Sequence, residues 1–342
     1  MTDQTNERKI RHIRTIESDL EADRRKYYFD DLRLTHRALP ELDLKQVDPS
    51  VTFMGKKLSF PLLISSMTGG DHDLLRKINR NLALAAEASG VAMGVGSQRV
   101  MFSHPMSRGS FDIRTFAPTA LLFANLGAVQ LNYGFTLEMC REAVQVVGAD
   151  ALVLHLNPLQ EAVQPEGDTH FAGLGAKVAE IVQHLDKPVV LKEVGAGVSE
   201  EDAQLAVRCK IKYIDVAGAG GTSWSRIEHR GLVESEGNNL GLAFQDWGIP
   251  TPEALRRLKP YRDRLTLIAS GGIRSGIDMA KAMVLGASLC GIASPFLKPA
   301  TESAEAVTAL VAALKREFTT AMFLLGMAKA EQLIGNEGLL LK

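Results

Sequence analysis

The sequence predicts an α/β protein: a (β/α)8 TIM barrel with an N-terminal extension. Three observations carry this. Eight short apolar runs recur along the 342 residues. Ala- and Glu-rich stretches of helical periodicity separate them. The unusual polar groups sit just after the runs, where the loops of a barrel carry chemistry. Residues 1–50 read as the extension, able to close over the active site, and residues 51–342 as the barrel domain.

The runs are PLLISS from Pro61, VAMGVG from Val91, ALLFANLG from Ala120, ALVLHLN from Ala151, KPVVLKEVG from Lys187, KYIDVAGAGG from Lys212, LTLIASGG from Leu265 and SLCGIAS from Ser288. Several are rich in Val, Ile and Leu without polar alternation, which suits parallel strands covered on both faces. Between them, LLRKINRNLALAAEASG spaces its apolar residues by three and four and ends on Gly90, a C-cap. TLEMCREAVQVVGA after Thr136 and SGIDMAKAMVLGA after Ser275 repeat the pattern. Ser199 before Glu200, Glu201 and Asp202 reads as an N-cap with an acidic first turn. Eight strand–helix units over roughly 250 residues suit a barrel. A doubly wound open sheet is the rival, but no GxGxxG follows the first strand. No short repeat marks a solenoid.

Composition narrows the function classes. Hydrophobic residues make up 46% and charged residues 23%, ordinary for a globular chain. The net charge of −1 gives no global attraction to nucleic acid or an acidic membrane, so anion binding has to be local. Cys140, Cys209 and Cys290 are far apart and lack CxxC spacing, which argues against zinc and a disulfide framework and for a reducing, cytoplasmic setting. The N-terminus has no apolar core, so a signal peptide is not expected, and no run has membrane-spanning length.

The loops carry the chemistry. ASGGIRSG, Ala269 to Gly276, follows the seventh barrel strand and leads into a helix. Its glycines let backbone N–H groups approach an anion, and Arg274 adds a bidentate donor. With GIAS after the eighth strand, this is the usual barrel location for a phosphate; a tight turn is the alternative. AGAGGTSW after the sixth strand is a second glycine-rich loop with hydroxyls, open to phosphate contact or mere flexibility. SSMTGG after the first strand can line a flat ring, although Met67 also suits a core. Asn125 ends the third run. Lys192 ends the fifth, and an ammonium there needs an anionic partner, which a reduced flavin ring would supply. HLNPLQE gathers polar groups after the fourth strand. Glu161 is a candidate ligand for a hard cation such as Mg²⁺; His155, Asn157 and Gln160 can donate to phosphate oxygens or orient an acid. In ERKIRHIRTIE, Arg8, Lys9, Arg11, His12 and Arg14 form a basic patch, read either as a solvated face or as cations folded over the barrel mouth.

Together these motifs resemble the type II, flavin-dependent isopentenyl-diphosphate isomerases nearly end to end. The pieces are RKIRH at 8–12, MTGG at 67–70, GSQR at 96–99, ANLG at 124–127, HLNPLQE at 155–161, QPEG at 164–167, KEVG at 192–195, GGTSW at 220–224 and SGGIRSG at 270–276. The resemblance implies an isomerase of isoprenoid biosynthesis that interconverts isopentenyl diphosphate and dimethylallyl diphosphate. It implies reduced FMN as acid–base group without net redox change, NADPH as reductant and Mg²⁺. It implies a homo-oligomer, a tetramer or larger.

By the same resemblance, FMN is held by Ser66, Met67, Thr68, Ser97, Asn125, Lys192, Thr222, Gly271, Gly272, Arg274 and Ala293. The diphosphate meets Arg8, Lys9, His12, Ser97, Arg99, His155, Asn157 and Gln160. Mg²⁺ sits on Glu161. Gln160, Glu228 and Lys192 are the candidate catalytic residues, with Gln160 and Glu228 assisting proton movement. The alternative is a flavin-dependent TIM-barrel oxidoreductase. A hydroxy-acid oxidase would need a His with the Arg near the seventh strand, and ASGGIR has none. A nucleotide dehydrogenase would need a nucleophilic Cys after the sixth strand, and AGAGGTSWSR has none. A flavin-binding sensor would need the phosphate loops but not HLNPLQE. A barrel acting on a phosphosugar would carry no flavin.

Overall fold

The structure, a computed structural model, describes residues 4–19, 21–231 and 239–341. Two strands form an antiparallel hairpin, β1 (Val51–Phe53) and β2 (Lys56–Leu58). Eight more close a barrel: β3 (Leu62–Ile64), β4 (Ala92–Gly94), β5 (Leu122–Gly127), β6 (Ala151–Leu156), β7 (Val189–Glu193), β8 (Tyr213–Asp215), β9 (Thr266–Ser270) and β10 (Ala287–Ile292). Each pairs in parallel with its sequence neighbour, and β10 returns to β3. Each barrel strand falls on one of the eight apolar runs. β3, β4, β5 and β7 are buried along their whole length, because helices cover them outside and side chains fill the barrel inside.

The helices are α1 (Gln4–Ser18), α2 (Asp73–Ser89), α3 (Val100–Ser103), α4 (Leu137–Val147), α5 (Pro158–Val163), α6 (Leu174–His184), α7 (Glu200–Arg208), α8 (Trp224–Gly231), α9 (Leu240–Ala243), α10 (Thr251–Arg257), α11 (Gly276–Val284), α12 (Ser294–Glu302) and α13 (Ala304–Leu324). Their ends follow local chemistry. Gly90 caps α2 in the left-handed conformation. Ser199 and Ser275 start α7 and α11 with reciprocal boxes to Asp202 and Asp278.

The hairpin closes the N-terminal end of the barrel. Val51, Phe53 and Leu58 are buried. The Phe53 ring lies 5.6 Å from that of Tyr213, at the start of β8. Lys56 Nζ donates to the carbonyls of Thr119 and Ala120 and to Asp150, all ahead of β5 and β6.

The extension packs on the barrel rather than standing apart. Phe29 is fully buried, and its carbonyl accepts from Lys281 Nζ at 2.8 Å. Leu34 bridges to Leu340 and Asp48 to Lys329. α1 lies against α8, over the C-terminal end of the barrel. No described helix is long and apolar enough to cross a membrane.

Candidate active site

The C-terminal ends of the strands open into one cavity of about 250 Å³. α1 supplies Arg8, Lys9, His12, Ile13 and Ile16 to its wall. The remaining nominated FMN, diphosphate and metal residues also line it. Glu228 does not; it stands behind Gln160 and His12. A larger groove of about 810 Å³ runs along the outer face between α6 and α7. It is apolar, and none of the nominated residues lines it.

One end of the cavity suits a phosphate. Arg274, Thr222, Ala293 and the N-terminus of α12 meet there, so a guanidinium and a helix dipole face the same space. The glycines serve a further purpose. A Cβ on Gly272 would come within 2.8 Å of the Tyr27 carbonyl, and one on Gly220 within 2.9 Å of the same atom. Both have positive φ, +83° and +124°. These loops are therefore bare so that the N-terminal segment can cross them, a requirement separate from any anion.

The centre holds a buried charge pair. Lys192 Nζ lies 2.8 Å from Asp215 Oδ2 and donates to Ser270 Oγ at 3.1 Å. Ser270 in turn donates to Asp215 Oδ1 at 2.7 Å. This corrects one expectation: the chain itself supplies the anion for Lys192. Asp215 escaped the sequence reading, yet a signal existed. Lys192 and Asp215 are register partners on adjacent strands. An acidic residue in KYIDVAG, beside a strand ending in Lys, is a pair waiting to be read.

His155 is the register partner of Lys192 on the other side. Its Nδ1 lies 2.7 Å from Asn125 Oδ1, while Asn125 Nδ2 donates to the Val95 carbonyl at 3.0 Å. Asn125 thus presents an acceptor, so Nδ1 carries the proton. Burial and the nearby Lys192 ammonium push His155 down to about 4. The imidazole is neutral near pH 7.

At the other end Glu161, 8% exposed, accepts from Asn157 Nδ2 at 2.7 Å and from the Asp168 N–H at 2.7 Å. Asn157 Nδ2 also donates to Gln160 Oε1 at 3.3 Å. Its two N–H groups are spent, and its Oδ1 is buried without a partner. Asn157 therefore offers the cavity an acceptor, which suits a cation better than a phosphate oxygen. Ser65 Oγ is a second buried cavity atom without a partner. Such atoms cost free energy unless a ligand or water satisfies them. Among the described residues no group of three or more His, Cys, Asp or Glu is arranged to hold a metal. A cation on Glu161 would thus complete its shell with water and substrate oxygens, as Mg²⁺ commonly does.

Gln160 Nε2 donates to Glu228 Oε1 at 2.7 Å, and His12 Nε2 lies 3.3 Å from the same oxygen. Burial pushes the Glu228 carboxyl up, but His12, Gln160 and Arg8 outweigh it and hold it below its ordinary value. Lys9 Nζ reaches the carbonyls of Gly69 and Ser97, and Arg8 donates to Gln164. Arg99 pairs with Asp168, which also accepts from Gln130.

Residues 131–339 match the family model described as FMN-dependent dehydrogenase. The isopentenyl-diphosphate delta-isomerase of Paracoccus zeaxanthinifaciens is 53% identical over 337 residues, covering 97% of this chain and 96% of that one. That of Hydrogenovibrio crunogenus is 52% identical over 334 residues, covering 98% and 97%. Among solved structures, a flavocytochrome b2 variant superposes with a TM-score of 0.70 at 18% identity, covering 96% of this chain and 82% of that one. A mandelate oxidase variant with (S)-mandelic acid gives 0.64 at 18%, covering 96% and 92%. These two share the fold. The extent and identity of the sequence matches go further: this chain belongs to the isopentenyl-diphosphate delta-isomerases, built on the FMN-dependent dehydrogenase barrel.

Proposed function

We propose that this chain interconverts isopentenyl diphosphate and dimethylallyl diphosphate, using reduced FMN, with NADPH as reductant and Mg²⁺ as the cation. One observation carries the reading. A phosphate end, a buried lysine centre and a carboxylate–amide end face a single cavity roofed by a basic helix. Reduced FMN, when bound, would supply an electron-rich acid–base group for the alkene chemistry.

The chain's own residues do the rest. Arg274 and the α12 N-terminus hold the flavin phosphate. Ser66, Met67, Thr68, Ser97 and Asn125 line its ring. Lys192, fixed by Asp215 and Ser270, would offer its ammonium to the electron-rich ring of a reduced flavin. Arg8, Lys9 and Arg99 neutralise the diphosphate, and His155 lines the cavity beside them. Glu161 holds Mg²⁺, with Asn157 Oδ1 as a neighbouring oxygen. Gln160, hydrogen-bonded to Glu228, would assist proton movement, and His12 braces Glu228 from α1. Ile13 and Ile16 on α1 keep water from a carbocation-like state, which a dry and preorganised site stabilises.

The test is anaerobic. The protein, FMN, NADPH and Mg²⁺ are mixed with isopentenyl diphosphate in D₂O and followed by NMR. Deuterated dimethylallyl diphosphate is expected, with no NADPH consumed per turnover. No conversion despite bound reduced flavin would overturn the reading and bring forward a net-redox or sensor role.

A further inference from the structure

The N-terminal segment after α1 brings a carboxylate to the phosphate end of the cavity. Asp23 lines the cavity wall. Its Oδ1 accepts from Arg274 Nη2 at 2.6 Å, and its Oδ2 from Ser294 Oγ at 3.4 Å. These are the groups that a phosphate would use. We propose that Asp23 is a specificity-determining residue: it competes with a ligand's phosphate group for Arg274, so the cavity holds a phosphorylated flavin less tightly than it would without this carboxylate. The proposal rests on the flavin reading above and adds a residue that works against the cofactor's own charge.

The backbone keeps Asp23 in place. Asp23 forms an antiparallel bridge with Thr222, flanked by bonds from Ser223 N to the Ala22 carbonyl at 2.8 Å and from Arg24 N to the Gly221 carbonyl at 3.1 Å. Just beyond, the Tyr27 backbone rests on Gly220 and Gly272. The segment is thus woven into both glycine-rich loops, and moving the carboxylate away by a backbone swing would break these contacts.

Among the described residues, two cations act on the Asp23 carboxyl. Arg274 is paired with it directly. Arg24 is the other nearby cation, but its guanidinium donates to the carbonyls of Gln245, Gly195 and Trp247. Burial pushes the Asp23 carboxyl up in spite of Arg274 and Arg24. The site already resists one negative charge, and a phosphate dianion sharing Arg274 meets that resistance again.

The experiment compares two flavins that differ only by the phosphate. Flavin-stripped full-length protein is titrated with FMN and, separately, with riboflavin, following flavin fluorescence. Asp23→Asn is expected to bind FMN roughly tenfold tighter, as fits removal of one like charge at a partly buried site. Riboflavin affinity is expected to stay unchanged. Asp23→Ala guards against a local distortion in the first variant and is expected to shift FMN in the same direction. Weaker FMN binding in both variants would show that Asp23 orients Arg274 instead, and would overturn the proposal. So would an equal shift for FMN and riboflavin, or no shift at all. Wild-type protein that binds neither flavin would sink the flavin reading and this proposal together.

Discussion

Glu161 spends both carboxylate oxygens within the chain, on Asn157 and on the Asp168 N–H. Glutamine would retain one acceptor and lose the charge. Glu161→Gln is therefore expected to purify with bound flavin while kcat/KM falls by about a hundredfold or more, since a catalytic cation contributes several kcal/mol. Absorbance of the bound flavin and a Mg²⁺ titration of activity check this; unchanged activity would remove Glu161 from the metal site. Residue identities at this end were legible because HLNPLQE crowds polar groups behind an apolar run. Their hydrogen-bond roles were not. Whether Asn157 donates or accepts depends on its neighbours Gln160 and Glu161, and the tautomer of His155 depends on Asn125, thirty positions earlier in the chain. Asp215 was readable in principle through its register with Lys192, but only after the strand order is known.

The barrel strands are the most legible elements, because an unbroken apolar run bounded by glycine and polar loops has few other homes. The β1–β2 hairpin was missed: two three-residue strands give too short an alternation, although Met54-Gly55 between them has the positive φ angles, 48° and 78°, of a tight hairpin turn. The N-terminal segment was half legible. Its basic residues were evident, but its path was not, since nothing local says that Tyr27 lies on Gly220 and Gly272. Arg24 explains how that path is held. It is 8% exposed, and its guanidinium ties the loops after β7 and β8 to the segment through three carbonyls. Arg24→Met keeps much of the apolar stem and removes the donors. Hydrogen bonds from a charged group contribute about 1.5–3 kcal/mol each, not additively. Amide exchange over residues 19–29 and 194–197 is expected to speed up markedly, with β3 to β6 unaffected. Uniform acceleration across the barrel would mean that Arg24 supports the whole fold rather than this segment.

At the scale of the molecule, two carboxylates give stability opposite slopes with pH. Arg226 first, then the Glu21 N–H and Arg230, hold Asp19 down at about 2 against the cost of burial. Its contribution is present above the ordinary carboxylate value and is lost as pH falls toward about 2. Glu193 behaves in reverse. Its Oε2 accepts from the N–H groups of Val194, Gly195, Ala196 and Gly197, yet burial outweighs these donors and Lys192 and pushes the carboxyl up to about 7. The folded chain then holds this proton more tightly than the unfolded one. The contribution is full below the ordinary value of 4.5 and is lost as pH rises through about 7. The net charge of −1 adds little global repulsion to obscure either slope near neutrality. Glu193→Gln keeps an acceptor for the turn and removes the titration. Melting temperatures of wild type and variant, measured from about pH 5 to about pH 8, are expected to diverge in the variant's favour as pH rises. Parallel curves would mean that the four backbone donors keep Glu193 ionised at every pH tested. In that case the turn between the cavity and the outer groove is held by a permanent charge, not a proton.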